Sequence, residues 1–124
     1  MNQRLIRPLL IAAALAAATP ARAAGDAAKG KAIFSRCSGC HALTGKSVAG
    51  PSLAGVVGRK AGADAGFHYS KAMKASGTVW TEAKLDAFLA APAKALPGTS
   101  MFVSVPNPTE RADLIAYLKT LPAR

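Results

Sequence analysis

Cysteines, acidic residues, aromatic residues and long apolar runs are scarce or absent in the sequence. Each of these shortages excludes a kind of site, partner or structure. Only two of the 124 residues are cysteines, and both lie in one short motif, so neither a disulfide framework nor a four-cysteine zinc site can form. Six acidic residues stand against sixteen Lys and Arg. The basic residues are scattered and aromatic residues make up only 6% of the chain, a pattern that argues against nucleic acid as the partner. No apolar run reaches the roughly 20 residues that a membrane-spanning helix needs.

The first 23 residues have the layout of a secretory signal peptide. Arg4 and Arg7 give a positive start, 9–18 is an apolar run, and 21–23 offers small residues at the positions that a signal peptidase reads. An uncleaved membrane anchor is the alternative, but the run is short for it. Cleavage after this segment leaves one domain at 24–124 and predicts a periplasmic protein without a stable membrane anchor. Its thirteen basic and six acidic residues give a net charge of +7, which favours acidic partners.

The mature chain is predicted to be all-α, with about four helices and long loops, because no segment alternates as a strand would. Asp26, Thr81 and Asn107 are expected N-caps, since their side chains can accept hydrogen bonds from unpaired backbone N–H groups. Pro92 is expected to end the third helix. Gly30 costs about 1 kcal/mol in a helix relative to alanine, which predicts that another backbone comes close there. The predicted helices cover about 26–36, 70–76, 81–91 and 107–121, and 42–67 is predicted loop.

The motif Cys37-Ser38-Gly39-Cys40-His41 predicts covalent attachment of one haem. Thiols at this spacing can add to the two vinyl groups of a haem, and the histidine that follows can place its imidazole on the iron. A dithiol redox pair competes for this pattern, but it is typical of a βαβ context that the sequence does not show. A disulfide is the further possibility in an exported protein. The export signal in front of the motif strengthens the haem interpretation.

A haem would also explain how so loop-rich a domain is stable. Ordering the backbone costs roughly 1–2 kcal/mol per residue, and no disulfide framework offsets this cost. The apolar face of a haem would take the place of missing core side chains.

Three side chains are candidates for the second axial ligand of the iron. Met101 lies in a segment rich in proline and glycine, where a turning, non-helical chain can present a thioether inward. Met73 lies at a helical position, where methionine more often fills a core. His68 lies between two aromatic residues in a predicted loop. We favour Met101 on ligand type and loop context.

With these residues assembled, the chain resembles class I, mitochondrial-type cytochrome c and its bacterial counterparts over nearly all of 24–124. The resemblance implies a small cytochrome c fold wrapped round one haem c, and an electron carrier rather than an enzyme. The matching blocks follow one another in family order: Gly25 to Phe34, Gly50-Pro51-Ser52-Leu53, Gly58-Arg59-Lys60, Phe67-His68-Tyr69-Ser70, Gly77-Thr78-Val79-Trp80, Pro97 to Met101, and Glu110 to Lys119.

The resemblance implies a role for several residues around the haem. The carbonyl of Pro51 would accept a hydrogen bond from the His41 ring, although a simple loop proline is the alternative. Tyr69 and Trp80 would donate to a haem propionate, with Arg59 nearby to balance its charge, although Trp80 could simply fill the core. The remaining implied pocket residues are Leu53, Phe88 and Thr99, the last of which would bond the other propionate or a buried water.

The chain also departs from the family at two positions near the methionine ligand. Phe88 stands where the family usually has a tyrosine, and Met73 where it often has an asparagine. These positions normally hold a polar network with a buried water. We therefore predict a drier pocket and a raised reduction potential, because an apolar pocket disfavours the extra charge of ferric iron.

Around the haem edge, basic residues are predicted to be fewer than is usual in the family. Ser100 replaces a common lysine, and the aromatic residue of the ligand loop comes one position early, at Phe102. The candidates for docking an acidic partner are Arg36, Lys46 and Lys94.

The predicted function is diffusible electron transfer between redox proteins with acidic docking surfaces. A quinol-oxidising complex, a terminal oxidase and a periplasmic dehydrogenase are the kinds of partner that this implies, and the carrier is expected to be a monomer. One alternative is a haem peroxidase or ligand sensor in which the methionine leaves the iron. Another is a haem subunit dedicated to one dehydrogenase.

Overall fold

Helices make up the regular structure of the chain, which a computed structural model describes for residues 24–44 and 46–123. Within these ranges there is no strand, only an isolated antiparallel bridge between Lys60 and Val79. The predicted all-α class is therefore confirmed, while the predicted signal peptide lies outside the described residues. The helices are α1 (Ala27–Ile33), continued by a 3-10 turn (Phe34–Arg36), α2 (Lys71–Ala75), α3 (Glu82–Ala90), α4 (Pro92–Ala95) and α5 (Pro108–Lys119).

A short polar side chain caps each of four helices. The carboxylate of Asp26 accepts hydrogen bonds from two backbone N–H groups of α1, at 2.9 and 3.1 Å. The amide oxygen of Asn107 accepts from two in α5, at 2.9 and 3.3 Å. Ser70 and Thr81 each accept one such bond at the starts of α2 and α3. These bonds satisfy donors that a helix leaves unpaired, which is why local sequence predicts the helix starts well.

The sequence pattern did not predict α4. As expected, α3 ends before Pro92, but a further helix begins at that proline. Ala91 between the two helices has φ −157° and ψ 84°, and the chain bends there. Proline lacks an N–H group and so interrupts the helix before it, while its restricted φ suits the first turn of the next. The described part of the chain therefore has five α-helices, one more than predicted.

The helices α1 and α5 approach each other to backbone contact. A Cβ atom at Gly30 would overlap the backbone carbonyl of Asp113 and would lie 2.8 Å from the Cβ of Tyr117. The close approach predicted from this costly glycine is therefore present. The buried carboxylate of Asp113 also accepts from the backbone N–H of Asp26 at 2.7 Å, which ties the start of α1 to α5. The rings of Phe34 and Tyr117 pack with centroids 5.7 Å apart.

The apolar core joins α3, α5 and the 3-10 turn after α1 to the loops that precede α2, α3 and α5. Leu114 is only 1% exposed, and burying a leucine side chain contributes about 1.5–3 kcal/mol. Half-buried apolar residues border this core, and Cys37, Leu53, Met73 and Met101 are among them. In the part of the chain that is described, none of the helices has the length and apolar character needed to cross a membrane. The buried cluster consists of Phe34, Val56, Ala61, Trp80, Leu85, Phe88, Leu89, Val105, Leu114, Ile115 and Leu118.

Candidate haem-binding site

The Cys-x-x-Cys-His segment forms a tight turn directly after the 3-10 extension of α1. The backbone N–H groups of Cys40 and His41 both donate to the carbonyl of Cys37, at 3.1 and 2.9 Å. Cys37 is half-buried against the core and Cys40 is exposed, and both thiols are free rather than joined in a disulfide. Burial raises the pKa of the Cys37 thiol, an effect that the positive charge of Arg36 opposes. The turn thus presents both thiols and the imidazole from one short segment.

The imidazole of His41 is held by the loop at 50–51. Its Nδ1 lies 2.8 Å from the carbonyl oxygen of Pro51. Because a carbonyl can only accept, Nδ1 must carry the proton in this hydrogen bond, and the lone pair is then on Nε2. Gly50 packs directly on the ring, since a Cβ at this position would lie 2.6 Å from His41 Cε1. Its N–H donates to the carbonyl of Cys40 at 2.7 Å, which fastens the loop to the motif.

Met101 lies in the loop between α4 and α5, as the proline and glycine content of that segment predicts. Gly98 has φ +89°, a left-handed conformation that makes the turn. The hydroxyl of the buried Thr99 accepts from the backbone N–H of Met101 at 3.4 Å. The Met101 side chain is half-buried and packs against the core. The thioether is therefore turned toward the core by its own loop rather than by a helix.

The hydrogen bonds of Arg59 leave one buried N–H donor that would fit a propionate of a haem. Its two terminal nitrogens donate to the carbonyls of Ala54 and Ser52, each at 2.9 Å. Its Nε is buried and has no hydrogen-bond partner among the described residues. Such an unpaired donor costs about 1–3 kcal/mol, and a carboxylate is an acceptor that suits a guanidinium well. A haem propionate is such a carboxylate, and imidazole and thioether are known axial ligands of haem iron.

The other predicted pocket residues lie in the segments that surround this core. The rings of Trp80 and Phe88 pack with centroids 5.0 Å apart, and both are buried. Leu53 and Met73 are half-buried against the same cluster. The hydroxyl of Tyr69 accepts from the backbone N–H of Asp64 at 3.1 Å, so its own proton is the part of the group that can be donated to a propionate.

In this region, sequence reasoning missed Asp64, and it also missed that Gly50 packs on the ring of His41. Asp64 accepts hydrogen bonds from Ser47 and from the backbone of Ser52. One signal could have singled it out, because it is the only acidic residue between Asp26 and Glu82. The role of Gly50 depends on the path of the folded loop past His41, which no local pattern reveals.

The candidate docking charges differ in their surroundings. The guanidinium of Arg36 makes two hydrogen bonds with the Glu110 carboxylate, at 2.9 and 2.8 Å, and so joins the end of the first helical segment to α5. This pairing raises the pKa of Arg36 and lowers the pKa of Glu110. Lys46 and Lys94 are exposed. Next to Met101, the Phe102 side chain is 85% exposed, so an apolar group stands at this surface.

Comparisons with known proteins agree on one family. The family model for cytochrome c matches residues 27–122. Cytochrome c of Tetrahymena pyriformis is 54% identical over 99 residues, which cover 78% of this chain and 90% of that protein. Cytochrome c2 of Rhodomicrobium vannielii is 47% identical over 120 residues, or 94% of this chain and 96% of that protein. Among solved structures, cytochrome cH from Methylobacterium extorquens superposes with a TM-score of 0.74 at 47% identity, covering 77% of this chain and 99% of that one.

Proposed function

Because this chain belongs to the class I cytochrome c family, we propose that it is a periplasmic carrier that takes one electron from one redox protein and delivers it to another. Its place in the family makes it an electron-transfer haem protein and not an enzyme. The location in the periplasm is supported by the signal-peptide pattern of residues 1–23.

The chain carries one covalently bound haem c, for which Cys37 and Cys40 fit the Cys-x-x-Cys-His pattern of the family. The haem supplies an iron that gains and loses a single electron. The protein supplies the two axial ligands, the polarity of the pocket and the surface at which partners dock.

One observation carries the proposed ligand set, the hydrogen bond from His41 Nδ1 to the carbonyl of Pro51 at 2.8 Å. It holds the ring in the tautomer whose Nε2 can bind iron, and a hydrogen bond of this kind raises the basicity of a ligating histidine. Met101 is the proposed sixth ligand, supported by a loop that turns its thioether toward the core. Two such ligands leave the iron no open position, which suits electron transfer without bond making.

The competing ligands and functions have less support. His68 is exposed, and Met73 lies on α2 with its side chain against the core cluster. A peroxidase would need an open iron position with an acid–base group beside it. His68 is the only other histidine in the sequence, and an exposed position does not suit that role. A haem subunit dedicated to one dehydrogenase would use the same chemistry and differ only in its partner.

The proposed partners are redox proteins with acidic docking surfaces. The support is the net charge of +7 on residues 24–124, which attracts acidic surfaces over about 8 Å at physiological ionic strength. The kinds of partner proposed are a quinol-oxidising complex, a terminal oxidase and a periplasmic dehydrogenase. The carrier is proposed to act as a monomer.

Visible spectroscopy of the exported holoprotein tests the ligand set. The ferric wild type is expected to show the weak far-red band of methionine bound to iron and to resist carbon monoxide in the ferrous state. Met101→Ala is expected to lose the band and to gain carbon monoxide binding, while Met73→Ala, the matched control, keeps the band. A wild type that binds carbon monoxide readily, or a band that survives in Met101→Ala, contradicts the proposal. Mass spectrometry of the same protein reports haem addition and the cleavage site.

A further inference from the structure

The carboxylate of Asp64 joins the loop behind His41 to the loop that carries Tyr69. One of its oxygens, Oδ2, accepts from the hydroxyl of Ser47 at 2.7 Å and from the backbone N–H of Ser52 at 3.0 Å. The other, Oδ1, accepts from the backbone N–H of Gly66 at 3.1 Å. Ser52 is completely buried, so the donor end of this hydrogen bond is shielded from water.

The hydrogen bonds of His41 and Asp64 meet at a single peptide group. The carbonyl of Pro51, which accepts from His41 Nδ1, and the N–H of Ser52, which donates to Asp64, belong to the same peptide bond. The two ends of a peptide group are conjugated. A negative charge at the N–H end therefore increases the negative charge on the carbonyl oxygen, and hydrogen bonds arranged in such a chain strengthen one another.

A stronger acceptor at Pro51 changes the electronic character of the His41 ring. When Nδ1–H is drawn toward the carbonyl, more electron density lies on Nε2, and the ring becomes a stronger donor to a metal. Ferric iron gains more from a stronger donor than ferrous iron does, so the reduction potential falls. This effect opposes the one expected from the apolar pair Met73 and Phe88.

We propose that Asp64 is a positioning residue that lowers the haem potential by acting on His41 through the Pro51–Ser52 peptide. The proposal rests on the proposed function, in which His41 ligates the iron. Asp64 touches neither His41 nor the iron in this scheme. It acts through one peptide group, whose N–H end belongs to the fully buried Ser52.

Two simpler roles for Asp64 make different predictions. A carboxylate could influence the iron only through space, by its charge. It could also act only by holding the two loops together, through its hydrogen bonds with Ser47 and Ser52. We call the proposed action of Asp64 on His41 through the Pro51–Ser52 peptide the relay. The His41 Nδ1 proton distinguishes the relay from both simpler roles. Only the relay changes the hydrogen bond of that proton when the charge of Asp64 alone is removed.

The experiment uses the holoprotein with three variants. Asp64→Asn removes the charge but keeps an oxygen that can accept from Ser52. Ser47→Ala removes one of the hydrogen bonds that join the two loops and keeps the Asp64 carboxylate. Glu82→Gln is the matched carboxylate-to-amide control on α3, where the side chain is exposed and pairs with Lys119. The readouts are the reduction potential and the proton resonances of His41 Nδ1–H and the Ser52 amide in the diamagnetic ferrous state.

In Asp64→Asn the potential is expected to rise and both proton resonances to move upfield, while Ser47→Ala and Glu82→Gln stay near the wild type. A raised potential with an unmoved His41 proton overturns the relay in favour of a through-space charge. Equal effects in Asp64→Asn and Ser47→Ala overturn it in favour of a role in holding the two loops together, and no change in Asp64→Asn overturns it outright.

A measurement on the wild type keeps the relay testable if Asp64→Asn does not fold. In isotope-labelled protein, scalar couplings across the hydrogen bonds are expected between Ser52 nitrogen and the Asp64 carboxyl carbon, and between His41 Nδ1 and the Pro51 carbonyl carbon. Absence of either coupling overturns the relay. Failure of the proposed ligand set is detected separately, by the absence of the far-red methionine band from the wild type.

Discussion

At the scale of single residues, Pro51 and Gly50 position His41, and Arg59 offers a donor for a haem propionate. Pro51 fixes the ring tautomer through a hydrogen bond, and Gly50 gives the ring space because it has no side chain. Arg59 contributes a buried N–H that fits a carboxylate. The ring tautomer, the space beside the ring and the donor for a carboxylate are therefore set by three different residues.

Phe88 offers a test of the predicted dry pocket at this scale. Its buried ring packs on Trp80, and Phe88→Tyr would add a hydroxyl dipole that can stabilise ferric iron. We expect the reduction potential to fall. A stabilisation of about 1 kcal/mol, the usual net value of a hydrogen bond, corresponds to about 40 mV, because about 59 mV is tenfold for one electron.

A redox titration of the purified Phe88→Tyr holoprotein measures this change. The far-red methionine band serves as the control, because its persistence shows that the axial ligands are intact. A potential above that of the wild type would refute the dry-pocket interpretation.

At the scale of elements, the contact between α1 and α5 holds the two ends of the domain together. Gly30 brings the helices to backbone contact, Asp113 ties the start of α1 to α5, and the pair of Arg36 and Glu110 ties the end of the 3-10 turn to the start of α5. The turn that carries the cysteines follows directly, so this contact also sets the position of the haem-attachment motif.

Gly30→Ala is expected to destabilise the protein although alanine is the better helix former. The added Cβ would overlap the Asp113 carbonyl, and backbone cannot move aside as a flexible side chain can. Overpacking costs about 1–3 kcal/mol, more than the roughly 1 kcal/mol gained in helix propensity. Urea unfolding of the ferric holoprotein should show a lower midpoint.

Gly66→Ala is the comparison for this substitution, because a Cβ at Gly66 would make only ordinary van der Waals contacts, the nearest at 3.5 Å. Its unfolding midpoint is expected to stay near that of the wild type. A Gly30→Ala protein as stable as the wild type would show that the two helices can separate without loss, contrary to the packing described above.

At the scale of the whole molecule, charge and exposed apolar surface together describe the proposed docking face. The domain carries +7, while Phe102, beside the proposed ligand Met101, leaves 85% of its side chain in solvent. Long-range attraction brings an acidic partner close, and apolar contact then contributes at short range.

The bimolecular rate of electron transfer to an acidic redox protein is therefore expected to fall about tenfold or more as salt is raised from low to physiological ionic strength. Stopped-flow mixing over a salt series measures the rate, and an uncharged small oxidant, whose rate should barely change, is the control. A rate that is constant or rises with salt would contradict the acidic-partner proposal.

The sequence by itself determined the features that depend on neighbouring residues. The haem-attachment motif, the caps at Asp26, Thr81 and Asn107, and the net charge all follow from local pattern or composition. Helix starts were predicted well because a cap bonds to backbone only two or three residues away. The extra helix at Pro92 was missed because proline both ends one helix and starts another.

Only the tertiary structure decided which distant groups meet. Asp64 lies 12 residues from Ser52 and 17 from Ser47 along the chain, and Arg36 lies 74 residues from Glu110. No periodicity encodes such pairs, because they depend on the path of a loop that has little regular structure. The link from His41 through one peptide group to a carboxylate therefore becomes visible only when the chain is folded.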